Sequence, residues 1–106
     1  MIRGEVFRLP APRASRGHEQ RGARYGVVVQ ADELLGLSTV LIAPTSTRAR
    51  PAPWRPEIRL DATLTRILPE QTRVIDAALI GDRTAGRLLP DELRDLDDAL
   101  YLVLGL

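Results

Sequence analysis

Apolar residues along most of this chain come in short runs cut by Pro, Gly or charge, and only the C-terminal segment carries a helical rhythm. Residues 2–9 (Ile2-Arg3-Gly4-Glu5-Val6-Phe7-Arg8-Leu9) mix charged and large apolar positions and stop at Pro10, which predicts a strand at a sheet edge or barrel rim. Pro10, Pro12, Gly17 and Gly22, interleaved with Arg13, Arg16 and Arg21, predict a basic loop over 10–22. Arg24 to Gln30, built on Val27-Val28-Val29, reads as a second strand, and Ala31 to Gly36 as a helical turn. Ser38 to Ala43 reads as a third strand, apolar on both faces and therefore central. Pro44 is expected to end it and open a long exposed loop, rich in Pro, Arg and hydroxyls, that runs to Pro56 and holds the only Trp.

Glu57 to Leu60 and Thr63 to Leu68 predict two further strands, and Gln71 to Leu79 a strand passing into a turn. Gly81 and Gly86 bracket a turn-rich segment. Leu93, Leu96, Leu100 and Val103 recur at helical steps, so Pro90 to about Leu104 reads as a helix. Asp91, Glu92, Asp95, Asp97 and Asp98 fall largely off that stripe as a solvated face, and Leu89 stands where a capping side chain is usual. Short strands and one terminal helix imply a small, strongly bent antiparallel sheet or barrel with the helix packed on it.

Composition narrows this to one domain, residues 1–106, with a single modest core. The chain has no Cys and one His, which removes disulfides, thiolate catalysis and Cys-ligated metals. A metal site would have to be mostly carboxylate, and no such cluster stands in the sequence, so neither metal nor cofactor is expected. No apolar run approaches a membrane span and the N-terminus does not lead into a signal-peptide core, so the expectation is a cytoplasmic protein without membrane contact. All 15 basic residues are Arg; residues 1–59 hold ten against five acids, and residues 60–106 hold five against nine. The first half therefore attracts anions.

Candidate chemistry gathers where a polar loop meets the second strand, in Gly17-His18-Glu19-Gln20-Arg21-Gly22-Ala23-Arg24. A loop ending on a paired strand lets Arg24 sit at the strand mouth while His18, Glu19 and Arg21 face a ligand. Imidazole titrates near neutrality and suits proton transfer. Tyr25 and Trp54 have the flat faces on which single-stranded bases stack.

Four stretches carry a family pattern: Arg3-Gly4-Glu5-Val6-Phe7, the Gly17-to-Arg24 segment, Ala43-Pro44-Thr45-Ser46, and Glu70-Gln71-Thr72-Arg73-Val74-Ile75-Asp76. In that order and spacing they resemble the MazF/PemK (Kid) family of toxin endoribonucleases from bacterial type II toxin–antitoxin modules. The resemblance implies a mainly β fold with a C-terminal helix, an SH3-like barrel of the plasmid-maintenance-toxin type. It further implies a homodimer that cuts single-stranded RNA without metal and is blocked by a cognate antitoxin protein. On this resemblance Arg24 would stabilise transition-state charge and Thr45 would orient the scissile phosphate or the 2′-hydroxyl. His18 and Glu19 compete for proton transfer. Gln20, Arg21, Ser46, Arg48, Trp54, Glu70, Gln71 and Arg73 would contact RNA, Trp54 being about as well suited to a protein partner. The chain departs from the pattern at Tyr25-Gly26, where the family commonly has Pro, at Leu68-Pro69-Glu70, where Kid-like members have Arg-x-Asp, and at Glu33 in place of Asn. A non-catalytic SH3-like binding or poison module, of the gyrase-directed type, is the alternative that the same fold allows.

Overall fold

The β-branched runs around Val27 and Ile42 form neighbouring strands at the middle of one antiparallel sheet, in a computed structural model that describes residues 1–10, 24–82 and 84–106. The strands are β1 (Glu5–Leu9), β2 (Arg24–Val28), β3 (Thr39–Ser46), β4 (Glu57–Leu60), β5 (Thr63–Ile67), β6 (Arg73–Asp76) and β7 (Thr84–Arg87), followed by the helix α1 (Pro90–Leu104). They pair in the order β4-β5-β3-β2-β1-β7, with β6 also on β3. This is the expected mainly β architecture with a C-terminal helix, curled into a half-barrel. Among the described residues β4 and β7 end the order without pairing with each other.

The curl creates two cores, because successive side chains leave a strand on opposite faces. One face gathers Val6, Val27, Ala43, Ile58, Ile67 and Leu88 around Leu96 of the helix. The other gathers Phe7, Leu9, Val28, Val40, Ile42 and Ile80, closed by Leu35, Ile75 and Ala77. Leu96 and Ala99 are buried, while Leu93 and Leu100 pack at the margin, so the predicted stripe is the face that docks. Burying one such Leu contributes about 1.5–3 kcal/mol. The missing cap at Leu89 is covered by Glu92, whose carboxylate accepts from the Leu89 amide at 2.9 Å and from the Arg59 amide at 3.2 Å.

Four expectations need correction. The first strand is not an edge, because β7 pairs with β1 on the side away from β2. The segment between Gly81 and Gly86 is accordingly not turn alone: residues 84–87 form β7, whose Thr-Ala-Gly-Arg sequence is exposed throughout and carries no alternating apolar signal. The third strand runs on through Pro44 to Ser46. Pro44 accepts from the Leu68 amide with its carbonyl, so its ring nitrogen faces the edge where β3 changes partner from β6 to β5, and no ladder donor is lost there. The acidic side of α1 is not all solvated either, since Asp97 pairs with Arg3 at 2.6 Å. Arg3 also donates from Nε to the Val29 carbonyl at 2.9 Å and from its amide to Asp32 at 2.7 Å, which ties helix, β2 and the turn after it together. Buried Gln30 adds a second tie, donating to the Leu34 carbonyl and accepting from the Leu41 amide.

Candidate active site

β2 begins at Arg24 and β3 ends at Ser46, and the two run antiparallel with Gly26 opposite Pro44. Continued to the strand ends, that register sets Tyr25 opposite Thr45 and Arg24 opposite Ser46. The Thr45 hydroxyl donates to the Tyr25 carbonyl at 3.1 Å. Its one hydrogen is thereby used and its lone pairs remain to accept. Ser46 is complementary: its Oγ accepts from the Arg48 amide at 3.1 Å and keeps its own hydrogen to donate. Arg24 is half-buried, with Leu9 of β1 on its other side.

The pleat sorts these residues by face. Tyr25 packs against the helix-side core, so Thr45, in step with Ala43, leaves on that side. Arg24 and Ser46 leave on the other, in step with Val28 and Ile42. Arg24 and Thr45, which the sequence pairs, therefore meet at one end of the same strand seam from opposite sides of it.

Glu70 and Gln71 lie on a 3₁₀ turn, Pro69–Gln71, directly after β5 and beside the end of β3. Gln71 is exposed, but the Glu70 carboxylate is held by Arg55, whose Nε and Nη2 approach Oε2 at 2.7 and 2.5 Å. Arg55 also donates to the Arg50 carbonyl at 3.1 Å, and Arg66, paired with Glu57 at 2.8 Å, reaches the Arg55 carbonyl. Sequence reasoning passed over Arg55, which fastens the Pro-rich loop to that 3₁₀ turn; one Arg among many in a loop gives no signal of such a role. Trp54, 39% exposed, lines a cavity with Arg55, Glu70, Leu102 and Val103. Tyr25 lines a different one, with no residue in common. The two aromatic candidates thus serve different surfaces. Arg48 is exposed just past the seam, and exposed Arg73 sits on β6 opposite Ile42. His18, Glu19, Gln20 and Arg21 lie outside the described residues. Among the described residues no three His, Cys, Asp or Glu side chains converge as metal ligands, and no helix is long and apolar enough to cross a membrane.

Comparison with known proteins agrees with this architecture. A sequence model of the PemK-like, MazF-like toxins of type II toxin–antitoxin systems matches residues 2–104. A candidate toxin of Mycobacterium tuberculosis is 48% identical over 75 residues, 71% of this chain and 70% of that protein. Among solved structures, an endoribonuclease of a mycobacterial species in complex with its cognate antitoxin superposes with a TM-score of 0.80 at 19% identity, over 100% of this chain and 96% of that one. MazF of Deinococcus radiodurans gives 0.77 at 21% identity, over 100% and 97%. At such identities these two structures speak for the fold alone.

Proposed function

We propose that this chain, which belongs to the PemK-like, MazF-like toxins of type II toxin–antitoxin systems, is an endoribonuclease that cuts single-stranded RNA. The observation that carries the reading is that strand pairing brings the backbone positions of Arg24 on β2 and of Thr45 and Ser46 on β3 to one seam end. In the proposed reaction the substrate's own 2′-hydroxyl loses its proton and its oxygen bonds to phosphorus. The bond from phosphorus to the 5′-oxygen breaks, and that oxygen takes up a proton. The ends left are a 2′,3′-cyclic phosphate and a 5′-hydroxyl. Because the nucleophile comes with the substrate, no bound metal is required to generate one.

Arg24 stabilises the charge that builds on the phosphorane-like transition state. Thr45, with its hydrogen on the Tyr25 carbonyl, accepts from and orients the 2′-hydroxyl, and Ser46 donates to a non-bridging phosphate oxygen. Proton transfer is assigned to His18 or Glu19, the two competing candidates, which precede Arg24 in sequence. We predict that pure protein cuts single-stranded RNA in EDTA and leaves these ends, read by end-group analysis. Activity that disappears in EDTA and returns with a divalent ion would sink the metal-independent reaction.

A homodimer, inhibited by a cognate antitoxin, completes the proposal. The relative solved with its antitoxin supports such a partner, and the exposed Arg48 and Arg50 beside the seam suit an acidic segment. Light scattering is expected to give a dimer at micromolar concentration, and inhibition should weaken as salt rises. A monomer throughout, or salt-insensitive inhibition, would count against these respective parts.

A further inference from the structure

The curled sheet stays open between its two ends, and side chains from four elements converge on the gap. Arg8 of β1, Tyr25 of β2, Asp61 of the β4–β5 turn, and Thr84 and Ala85 of β7 line a cavity of about 520 Å³. That size suits a small ligand. The Arg8 guanidinium lies over the Tyr25 ring, 6.0 Å from its centroid. Asp61 and Ala62 both have positive φ, 49° and 64°, as a two-residue hairpin turn requires, so the turn fixes the backbone from which the exposed Asp61 side chain extends. Thr84 donates its hydroxyl hydrogen to Glu5 at 2.9 Å and keeps lone pairs. Among the described residues neither Arg8 nor Asp61 forms an ion pair, although both face one cavity. Opposite charges that share a cavity unpaired are available to a ligand that satisfies both.

We propose that this cavity is a guanine-binding subsite that sets base preference beside the scissile phosphate. The proposal rests on the reading of the chain as a ribonuclease. Guanine presents two adjacent donors, N1–H and the 2-amino group, that one carboxylate accepts together, and O6 beside them accepts from Arg8. Adenine and cytosine set a single amino donor next to a ring acceptor, and uracil places one donor between two acceptors, so none matches Asp61 as fully. The Tyr25 ring, under the Arg8 guanidinium, forms one wall of the cavity. Its carbonyl receives the Thr45 hydrogen bond, so the subsite adjoins the proposed reaction centre directly. Sequence alone could not assemble it, since its residues come from positions 8, 25, 61 and 84–85.

The test uses non-cleavable 2′-deoxy tetranucleotides that carry guanine, inosine or adenine at each position in turn, with binding measured by fluorescence anisotropy on the full-length chain. The same proteins are then given a randomised RNA pool. Wild type should prefer guanine at one position, and Asp61→Asn should reduce that preference by about 5- to 150-fold. Asn tolerates positive φ, so the turn survives the change. Inosine, which lacks the 2-amino group, should bind wild type more weakly than guanine does. Equal binding of all bases, or an unchanged preference in Asp61→Asn, would overturn the subsite. So would loss of antitoxin affinity in that variant with base preference intact, which would assign the cavity to the protein partner. Guanine-selective binding without cleavage would instead remove the ribonuclease reading and leave the subsite standing.

Discussion

Replacing Arg24 by alanine is expected to slow RNA cleavage about 100- to 1000-fold, the usual cost of losing one donor aimed at transition-state charge. Its Cα is fixed by pairing with Leu9, and its half-buried side chain belongs to neither core cluster, so the variant should fold and assemble as wild type does. Arg94→Ala is the matched control. Arg94 is exposed on α1 and its contact with Asp91 is long, 3.4 Å, so its removal should leave the rate within about a few-fold. Single-turnover rates at saturating RNA separate the two roles open to Arg24. A rate near that of wild type would make it a binding residue only, and the catalytic assignment would move to His18, Glu19 and Arg21.

Gly26→Ala should be the most damaging small substitution for the fold. A Cβ there would lie 2.3 Å from Cγ2 of Ile42 and 3.0 Å from Cδ1 of Leu9, both buried side chains. Overpacking of this kind costs about 3 kcal/mol or more. For a domain of this size that corresponds to a fall in Tm of roughly 10–20 °C, read by thermal unfolding. Ile42→Ala removes the nearest colliding atom, so the double variant should lose less stability than the two single changes together. An unchanged Tm for Gly26→Ala would mean that β1, β2 and β3 lie further apart at this point than described. The position also matters for activity, because Gly26 lies between Arg24 and the core and its pairing with Pro44 aligns Arg24 and Tyr25 with Ser46 and Thr45.

Local pattern was enough wherever one element carries its own signal. The helix Pro90–Leu104 was legible because Leu93, Leu96, Leu100 and Val103 repeat with its period, and Glu57–Leu60 was legible between its turn signals. The family motifs likewise named Arg24, Thr45 and Ser46 as candidates, and the strand pairing sets all three at one seam end. The strand β7 was not legible, because exposed edge residues are held by backbone pairing with β1 and need no apolar alternation. Pro44 misled for a related reason: a proline stops a strand only where its missing N–H faces a partner, and which edge it faces is a matter of tertiary pairing.

Charge shows the same division. The basic first half and acidic second half look like separate surfaces along the chain, but Arg3 pairs with Asp97 and Arg55 with Glu70 across that boundary. Neither partner choice follows from sequence spacing, because it depends on where α1 and the 3₁₀ turn pack. The cavity shared by Arg8, Tyr25, Asp61 and Thr84 is the extreme case. Residue type and local periodicity determined most of the elements, and the family resemblance named the candidate residues. The curl of the sheet alone decided which distant side chains would face one another, since hydrogen-bond register and core packing act between segments that the sequence keeps apart.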